Sequence, residues 1–400
     1  MRTIGIDAVA IAVPEGFVEL ADLAEARGVP AGKYVEGLGV TRMAVARAHE
    51  DPVALAANAA RRLFALGEID PSRIGLVVVG TETAVDHSKP VAAYLHGLLG
   101  LPERCRAYET KHACFGGTAG LFTALDWIAS GSARGRQALV VCTDVARYAL
   151  HSPGEPTQGA GAVAMIISEN PRLVALEPGV SGSYSKDVHD FWRPLYSKEA
   201  MVDGHYSVQC YLDALAGAYR AWDEASREAG YHKDSIVRRC YHVPYGKMAK
   251  KAHRHLMQIE GKAEAQADGS YAEQVAPSLR MPSQIGNIYT GSLYLAIASL
   301  LDAEATELEG KRIGLFSYGS GCTAEYFAGR VQPGAGAFTK HLALAEPLEN
   351  RRRYTVPEYE AIRNADHEGD RRPIQAGENG YQAGAIAFLG VDNDRRVYQA

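Results

Sequence analysis

Residues 111–120 read Lys111-His112-Ala113-Cys114-Phe115-Gly116-Gly117-Thr118-Ala119-Gly120, with a cysteine set just before a run of small residues. The segment before it, Cys105 to Glu109, predicts a strand, and the segment after it, Gly117 to Ser130, predicts a helix. A thiol at such a junction meets unpaired backbone N–H groups and the positive end of a helix dipole, which favour the thiolate. Because the thiolate attacks acyl groups, Cys114 is a candidate nucleophile, although a small buried side chain in a tight turn would give the same pattern.

The composition is that of a soluble globular protein. The chain has 400 residues, of which 47% are hydrophobic and 22% are charged, and this length suits one large two-lobed fold or about two to three domains. The formal net charge of −5 argues against a general attraction to nucleic acid or to anionic membranes. The longest apolar runs are far shorter than the ~18 residues of a membrane span, and the N-terminus lacks the pattern of a targeting peptide.

The cysteines and histidines indicate neither a disulfide framework nor a metal centre. The six cysteines, at positions 105, 114, 142, 210, 240 and 322, include no Cys-x-x-Cys spacing, which argues against zinc and against disulfides. The thirteen histidines are scattered and form no metal-ligand pattern. We therefore expect reduced thiols, a cytoplasmic protein and no bound metal.

The first 170 residues alternate between strand and helix patterns. Short apolar runs of the buried-strand kind alternate with segments of helical spacing. This order predicts a layered α/β lobe over residues 1–170. The predicted strands are Thr3 to Ala10, Ile74 to Val79, Cys105 to Glu109, Ala138 to Thr143 and Gly159 to Ile167, and the predicted helices are Pro52 to Leu66, Pro90 to Leu99 and Gly117 to Ser130.

A second lobe is predicted over residues 171–400. The tetrapeptide Arg-Ile-Gly-Leu occurs at both 73–76 and 312–315, which is at most a hint of two related halves. The tail from Leu348 is rich in Arg, Glu and Asp, and a surface helix, a partner contact and disorder all remain open for it. The predicted helices are Tyr206 to Glu228, Lys247 to Leu256 and Thr290 to Leu301, and the predicted strands are Arg239 to Val243 and Arg312 to Tyr318.

Three chemical groups lie at or just beyond the ends of predicted strands, where sites collect in α/β folds. They are Glu82, Cys114 and His242. A carboxylate at the mouth of an apolar strand is partly desolvated, which raises its pKa and suits Glu82 to proton transfer. His242 has apolar and aromatic flanks, and the following proline ends its strand. A solvated loop acid and a satisfied core imidazole are the alternative interpretations of Glu82 and His242.

Two further features suit a ligand. Lys247, Lys250, Lys251 and Arg254 fall on one helical face, which is either a solvated surface or a clamp for a phosphorylated handle. Gly116-Gly117 and Gly319-Ser320-Gly321 follow strands, and the glycines leave room for a substrate to approach the backbone. Their N–H groups are candidates to hold the oxyanion of a thioester.

Seven motifs in order resemble the 3-hydroxy-3-methylglutaryl-CoA synthase family of the thiolase superfamily. This resemblance implies the thiolase fold, with two pseudo-equivalent α/β halves in five layers, and a homodimer. The motifs are Gly80-Thr81-Glu82-Thr83, His112-Ala113-Cys114, Gly154-Glu155-Pro156-Thr157-Gln158-Gly159-Ala160-Gly161-Ala162, Asp190-Phe191-Trp192-Arg193-Pro194, Tyr241-His242-Val243-Pro244-Tyr245, Gly286-Asn287-Ile288-Tyr289-Thr290-Gly291-Ser292 and Phe316-Ser317-Tyr318-Gly319-Ser320-Gly321.

The resemblance also implies an acyltransferase that condenses acetyl-CoA with acetoacetyl-CoA and water, giving 3-hydroxy-3-methylglutaryl-CoA and free CoA. Cys114 would carry the acetyl group, Glu82 would remove a methyl proton, and His242 would orient the acetoacetyl thioester. The coenzyme A thioesters are substrates, and no cofactor is expected. The remaining implied contacts are Tyr148, Thr157, Asn287 and Ser320 for the acyl groups, and Lys247 and Lys250 for the CoA phosphates.

Other activities remain open at this point. Relatives of the same family act on acyl groups bound to an acyl carrier protein, in polyketide β-branching. The sequence around Cys114 is closer to those relatives, whereas Gly154 to Gln158 and Asp190 to Pro194 are closer to the enzymes of the mevalonate pathway. A ketoacyl synthase III-like enzyme, which needs no counterpart of Glu82, and a non-catalytic thiolase-fold scaffold are the more distant alternatives.

Overall fold

The computed structural model describes residues 3–197, 199–365 and 384–399. The strands are β1 (Ile4–Ala12), β2 (Gly16–Glu19), β3 (Arg42–Val45), β4 (Ile74–Gly80), β5 (Arg106–Thr110), β6 (Gln137–Val145), β7 (Ala160–Glu169), β8 (Val174–Ser185), β9 (Phe191–Trp192), β10 (Met201–Val202), β11 (Ile236–Tyr241), β12 (Arg312–Gly319), β13 (Thr323–Val331), β14 (Arg352–Arg353), β15 (Ala387–Asp392) and β16 (Arg395–Gln399). The α-helices are α1 (Leu20–Ala26), α2 (Ala31–Tyr34), α3 (Pro52–Gly67), α4 (Val91–Leu98), α5 (Gly116–Ala129), α6 (Gly204–Glu228), α7 (Gly246–Ile259), α8 (Glu264–Gln274), α9 (Pro282–Ile285), α10 (Ser292–Leu308), α11 (Ala335–Leu342) and α12 (Val356–Ala365).

The N-terminal half forms a mixed sheet in the order β1-β7-β6-β4-β5. Strand β4 lies between β5 and β6 and is parallel to both. Each of its seven residues is buried, because both faces of an internal parallel strand are covered by helices. The predicted strands and helices of this half agree with the observed ones to within about three residues.

The C-terminal half repeats this strand order as β8-β13-β12-β11. Strand β11 is parallel to β12, and β13 is antiparallel to both of its neighbours, so β8, β11, β12 and β13 correspond to β1, β4, β6 and β7. The two sheets join where Ile4–Ile6 pair with Val174–Leu176. Strands β8 and β13 were absent from the sequence prediction, because polar residues and glycines interrupt their apolar pattern.

Helices separate and cover the two sheets, which makes five layers. Helix α3 packs on the outer face of the N-terminal sheet, and α6 and α7 cover the outer face of the C-terminal sheet. Helices α5 and α10 lie between the sheets, and their buried side chains share one hydrophobic cluster with both. Helix α10 is apolar on most of its surface, as expected for a helix of the central layer. Each large side chain buried there contributes roughly 1.5–3 kcal/mol.

The repeated tetrapeptide does not mark equivalent positions. Residues 74–76 begin β4, with Arg73 just before it, whereas residues 312–315 begin β12. The counterpart of β4 is β11, and the counterpart of β12 is β6. The hint of two related halves was therefore right about the fold, but this repeat is a coincidence of sequence.

Part of the C-terminal tail folds back onto the N-terminal half. Strand β14 pairs with β2, and the β15–β16 hairpin packs near α3, where Arg396 Nη2 and Tyr398 Oη both donate to Asp51 Oδ2 at 2.7 Å. Of the alternatives left open for the tail, a helix forms over Val356–Ala365 as α12, with Val356, Tyr359 and Arg363 buried, and residues 366–383 lie outside the described residues. In the described ranges, no helix has the length and hydropathy needed to cross a bilayer.

Candidate active site

Cys114 lies in the turn between β5 and α5, as predicted. The residue before it, Ala113, has a φ of 40°, in the left-handed region that costs a non-glycine residue about 1–3 kcal/mol. The Phe115 N–H donates to the His112 carbonyl at 2.9 Å and closes the turn. A strained turn that the surrounding structure maintains is typical of a functional position.

The glycines next to Cys114 serve packing inside the protein. A Cβ on Gly117 would lie 2.3 Å from Cys142 Sγ, and a Cβ on Gly80 would lie 2.3 Å from the Gly117 nitrogen. A Cβ on Gly319 would meet the Phe115 nitrogen at 2.6 Å. The expectation that glycines 116 and 117 leave room for a substrate is therefore wrong for the space beside their α-carbons, which protein atoms fill. The missing side chains instead let β4, α5 and the end of β12 pack closely.

Glu82 contacts the candidate nucleophile directly. The Cys114 Sγ lies 3.4 Å from Glu82 Oε1, although 32 residues separate them in sequence. Burial, and secondarily the nearby Asp144, raise the pKa of Glu82 to about 8, while Arg193 and the thiol act in the opposite direction. A carboxyl group with that pKa exchanges a proton near neutral pH, as a general acid or base must.

The resting form of Cys114 differs from the prediction. Burial, followed by the charges of Glu82 and Asp144, raises the pKa of the thiol well above its ordinary value. The structure therefore favours the neutral thiol, because desolvation and two acids outweigh the helix terminus. A neutral thiol must lose its proton as it attacks an acyl group.

Arg193 is a neighbour of Glu82 that the sequence analysis quoted in a motif but did not select. Its Nη1 donates to the Glu82 carbonyl oxygen at 2.7 Å, and its Nη2 lies 3.7 Å from Glu82 Oε2. The guanidinium carbon is 5.7 Å from the centre of the Tyr289 ring. Its positive charge lowers the pKa of Glu82 and so opposes the effect of burial.

Asp144 connects the two halves beneath the site, and the sequence analysis gave it no role. Its Oδ1 accepts from the N–H groups of Glu82 at 2.9 Å and Thr83 at 3.0 Å. Its Oδ2 accepts from the N–H group and hydroxyl of Thr290 at 3.0 and 2.5 Å. One buried carboxylate thus holds the Glu82 loop against the segment that leads into α10. Its position at the end of β6 was the available signal.

An aromatic wall borders the thiol. The ring centre of Phe191 is 6.4 Å from that of Tyr148 and 5.8 Å from that of Tyr289. Burial raises the pKa of Tyr148, and the charges of Cys114 and Glu82 add to that rise. The predicted acyl-pocket residue Tyr148 therefore lies close to both reactive groups.

The main chain of Tyr148 is held by the C-terminal tail. Its N–H donates to Gln158 Oε1 at 2.8 Å, and its carbonyl accepts from Arg363 Nη2 at 3.1 Å. Arg363 Nη1 also donates to Gln158 Oε1, at 3.2 Å. Helix α12, which carries Arg363, therefore fixes the loop that carries Tyr148.

His242 lies at the end of β11. Its N–H donates to the Phe316 carbonyl at 2.7 Å, and its own carbonyl accepts from Tyr211 Oη at 2.8 Å. Burial lowers the pKa of its imidazole to about 3, so the ring is neutral at physiological pH. Within the described residues, the ring nitrogens have no hydrogen-bond partner, and His242 does not bond to Cys114 or Glu82.

Strand β12 lies beside β11, which leads to His242, and its end contacts the Cys114 turn. Because β11 and β12 are parallel, His242 and Gly319-Ser320 leave the sheet at the same edge. Gly319 contacts the Cys114 turn through His112 and Phe115. The predicted Ser320 directly follows Gly319 and so lies next to the nucleophile turn.

Asn287 and Thr157 bond to each other through the backbone. The Asn287 N–H donates to the Thr157 carbonyl at 3.1 Å, and Asn287 Oδ1 accepts from the Tyr289 N–H at 2.9 Å and from Ser292 Oγ at 3.0 Å. The Thr157 hydroxyl donates to the Gly154 carbonyl at 2.8 Å. Asn287 and Thr157, both predicted to contact the acyl groups, therefore also have structural roles in the loops that carry Tyr148 and Tyr289.

The basic stripe on α7 is divided. Lys250 Nζ lies 3.5 Å from Asp268 Oδ1, and Arg254 makes a bidentate pair with the same carboxylate at 2.6 and 2.7 Å. Lys247 is exposed in the first turn of α7. Lys247 is therefore better placed for a solvent-borne phosphate, whereas Lys250 already helps to hold α8.

Glu15, His49 and Glu50 come together, although the sequence suggested no metal-ligand group. Their potential ligand atoms lie within 4.8 Å of one another. Glu50, however, accepts main-chain hydrogen bonds from Glu15 at 2.7 Å and Arg47 at 2.9 Å. This carboxylate therefore already ties two loops together. The six cysteines are all free thiols.

Comparison with known proteins identifies the family. The family model for the N-terminal region of hydroxymethylglutaryl-coenzyme A synthase matches residues 1–171, and the model for its C-terminal region matches residues 174–270 and 258–398. The chain belongs to the hydroxymethylglutaryl-CoA synthase family. It is an enzyme, an acyl-transferring synthase with a thiolase-like fold.

Individual relatives include both kinds of synthase. Hydroxymethylglutaryl-CoA synthase of Enterococcus faecalis is 41% identical over 366 residues, which cover 90% of this chain and 91% of the relative. The Bacillus subtilis polyketide biosynthesis 3-hydroxy-3-methylglutaryl-ACP synthase PksG is 33% identical, covering 90% and 88%. The solved structure of MvaS in complex with 3-hydroxy-3-methylglutaryl coenzyme A is 48% identical, with a TM-score of 0.94 and coverage of 100% and 99%.

Proposed function

We propose that this enzyme condenses acetyl-CoA with acetoacetyl-CoA and water to give 3-hydroxy-3-methylglutaryl-CoA and free CoA, the reaction of the mevalonate pathway. The observation that carries the proposal is the 3.4 Å contact between Cys114 Sγ and Glu82 Oε1, in a chain of this family. The similarity to a synthase whose structure contains 3-hydroxy-3-methylglutaryl-CoA supports the choice of product.

In the first step, Cys114 Sγ bonds to the acetyl carbon as the bond between that carbon and the CoA sulfur breaks. The thiol proton leaves Cys114, and CoA departs as a thiol. Covalent attachment then holds the acetyl methyl group beside Glu82, so that proton removal becomes an intramolecular step. A carboxyl group with a pKa of about 8 is matched to this exchange.

In the second step, the carbanion of acetyl-Cys114 attacks the ketone carbon of acetoacetyl-CoA. Protonated Glu82 then returns its proton to the new alkoxide, which becomes the tertiary alcohol. We assign His242 to the acetoacetyl thioester, because its neutral ring is able to donate a hydrogen bond to a carbonyl oxygen without a buried charge. Tyr148, Thr157, Asn287 and Ser320 would form the rest of the acyl site, and Lys247 with Lys250 would meet the CoA phosphates.

Mass spectrometry tests this sequence of events. The protein is exposed briefly to acetyl-CoA, and a mass increase of one acetyl group on the peptide containing Cys114 is expected. Addition of acetoacetyl-CoA should then remove the adduct and release 3-hydroxy-3-methylglutaryl-CoA. An adduct on another residue, or none in folded protein, would contradict the covalent role of Cys114.

The second candidate uses an acceptor bound to an acyl carrier protein. Its support is the similarity to a 3-hydroxy-3-methylglutaryl-ACP synthase over 90% of the chain. The acetylated enzyme should be offered acetoacetyl-CoA and acetoacetyl carrier protein in parallel. Turnover of the carrier-bound form alone would replace the first candidate with the second.

We also propose a homodimer. Strand β5 is one of the two edges of the nine-stranded sheet, and exposed edge strands are sites of strand pairing between copies. The mass in solution, measured by light scattering, should be twice that of the chain. A substitution of Ala107 by proline in β5 should produce monomers, whereas an unchanged mass would exclude this edge as the interface.

A further inference from the structure

Arg193 carries hydrogen-bond donors that the protein does not use. Its Nη1 donates to the Glu82 carbonyl, but its Nε and Nη2 are buried and have no hydrogen-bond partner among the described residues. The contact of Nη2 with Glu82 Oε2, at 3.7 Å, is longer than a hydrogen bond. A buried donor without a partner costs about 1–3 kcal/mol, so a ligand that accepts from both nitrogens would be stabilised here.

Another buried arginine shows the contrast. Arg312 directs Nε and Nη2 to the two oxygens of Glu177 at 2.7 and 2.8 Å, and Nη1 to the His232 carbonyl at 2.9 Å. Its guanidinium is thus occupied on every nitrogen, as expected for a structural role. Arg193 differs because two of its nitrogens remain available next to the reactive groups.

The site itself indicates which anion would fit. In the proposed reaction, water adds its oxygen to the acyl carbon on Cys114 and the carbon–sulfur bond breaks. One proton restores the thiol, the other is released, and the acyl carbon becomes a carboxylate. Cys114 Sγ lies 3.4 Å from Glu82 Oε1, the Glu82 carbonyl accepts from Arg193 at 2.7 Å, and the Arg193 guanidinium carbon is 5.7 Å from the centre of the Tyr289 ring, so these groups adjoin one another.

We propose that Arg193 is the binding residue for the carboxylate that hydrolysis forms at Cys114. This inference rests on the proposed function and assigns a subsite to it. A guanidinium binds a carboxylate through two N–H groups at once, and Nε and Nη2 are the pair that Arg193 has free. Both donors are shielded from solvent. Their burial strengthens the charge interaction.

The test compares two ligands that differ only in this carboxylate. 3-Hydroxy-3-methylglutaryl-CoA carries it, whereas in 3-hydroxy-3-methylbutyryl-CoA a hydrogen replaces it. Binding of both is measured by calorimetry in Cys114→Ala protein, where no covalent step occurs. Adding Arg193→Gln should weaken the charged ligand about 10- to 100-fold, and the neutral ligand by less than about threefold.

The ratio of the two affinities is the measured quantity, because a general distortion of the site would weaken both ligands alike. Arg193→Lys, which keeps the charge but loses the paired geometry, should give an intermediate ratio. It also replaces the glutamine variant if that variant does not fold. A ratio equal to that of Cys114→Ala protein, in whichever of these variants folds, would overturn the assignment and leave Arg193 as a partner of Glu82 alone.

A failure of this inference is separable from a failure of the proposed function. Wild-type protein is tested in parallel for the acetyl adduct on Cys114 and for binding of 3-hydroxy-3-methylglutaryl-CoA. Loss of both in folded wild-type protein contradicts the proposed function. An acetyl adduct together with an unchanged affinity ratio contradicts only the carboxylate subsite.

Discussion

Glu82 and His242 occupy corresponding places in the two halves of the molecule. Glu82 follows β4 and His242 follows β11, and these strands have the same position in the two sheets. Burial is the main influence on both groups, and it raises the pKa of Glu82 to about 8 and lowers that of His242 to about 3. Desolvation disfavours the charged form of either, so both side chains are mainly neutral at pH 7.

The halves differ in what surrounds these groups. Glu82 has Cys114, Asp144 and Arg193 as neighbours, whereas the hydrogen bonds of His242 run through its main chain. The nucleophile turn follows β5, a strand for which the C-terminal sheet has no counterpart among the described residues. This difference is consistent with the proposed function, in which the N-terminal half supplies the bond-making groups and the C-terminal half orients the acceptor.

The largest test of this division removes the sulfur. Cys114→Ala should lower overall turnover by at least about ten-thousandfold and abolish the acetyl adduct measured by mass spectrometry. The half-buried thiol Cys105, in the same half, provides the matched control, and Cys105→Ala should keep the adduct. Formation of the acetyl adduct by the Cys114 variant would contradict the assignment of the nucleophile to Cys114 in the N-terminal half.

The second test removes the base and keeps the shape. Glu82→Gln should slow carbon–carbon bond formation about 10²- to 10⁴-fold, while the acetyl adduct still forms and accumulates. Rapid mixing with acetoacetyl-CoA, followed by product analysis, separates the two half-reactions. Equal loss of both would mean that Glu82 acts already in acetylation.

The third test addresses the C-terminal half. His242→Ala should lower kcat/KM for acetoacetyl-CoA about 10- to 100-fold, the loss expected for one buried hydrogen bond to the substrate. Acetylation by acetyl-CoA should remain close to the wild-type rate. A parallel fall in acetylation would show that the imidazole serves the nucleophile and would break the proposed division.

The pH dependence sharpens the comparison. The base must be ionised to remove a proton, and the pKa of Glu82 is about 8, so the rate of bond formation should rise about fivefold from pH 7 to pH 8. The imidazole of His242, with a pKa of about 3, stays neutral above pH 5 and should cause no further change in this rate there. A flat profile between pH 6 and pH 9 would contradict the role given to Glu82.

The smallest effect is expected where the tail supports the N-terminal half. Arg363→Gln removes donors to Tyr148 and Gln158 and should lower the free energy of unfolding by about 1–3 kcal/mol. The KM for acetyl-CoA should rise a few-fold, because the Tyr148 loop loses its support. Arg352, in an exposed pair with Glu358, is the matched control, and Arg352→Gln should change neither quantity measurably.

Much of the fold was predictable because buried strands and helices have characteristic spacings of apolar residues in the sequence. The predicted helix Pro52 to Leu66 agrees with α3, and the predicted strand before Cys114 agrees with β5 to within one residue. Strands β8 and β13 were missed because their partners, rather than their own patterns, place them in the sheet. Of the site, Glu82 and Cys114 were predicted and do meet. Asp144 and Arg193 were not selected, although Asp144 stands at the end of β6 and Arg193 in a quoted motif, because the sequence does not show that they contact Glu82.

By itself, the sequence determined the alternation of strands and helices, the family, and which residue types stand at the strand ends, because these follow from local pattern and from motif order. Only the tertiary structure decided the protonation states and the neighbours of those residues. Cys114 is a thiol rather than the expected thiolate, since its pKa depends on Glu82, Asp144 and the burial around it. Desolvation and charge act through space, and residues distant in the chain come within that range only when both halves are folded together.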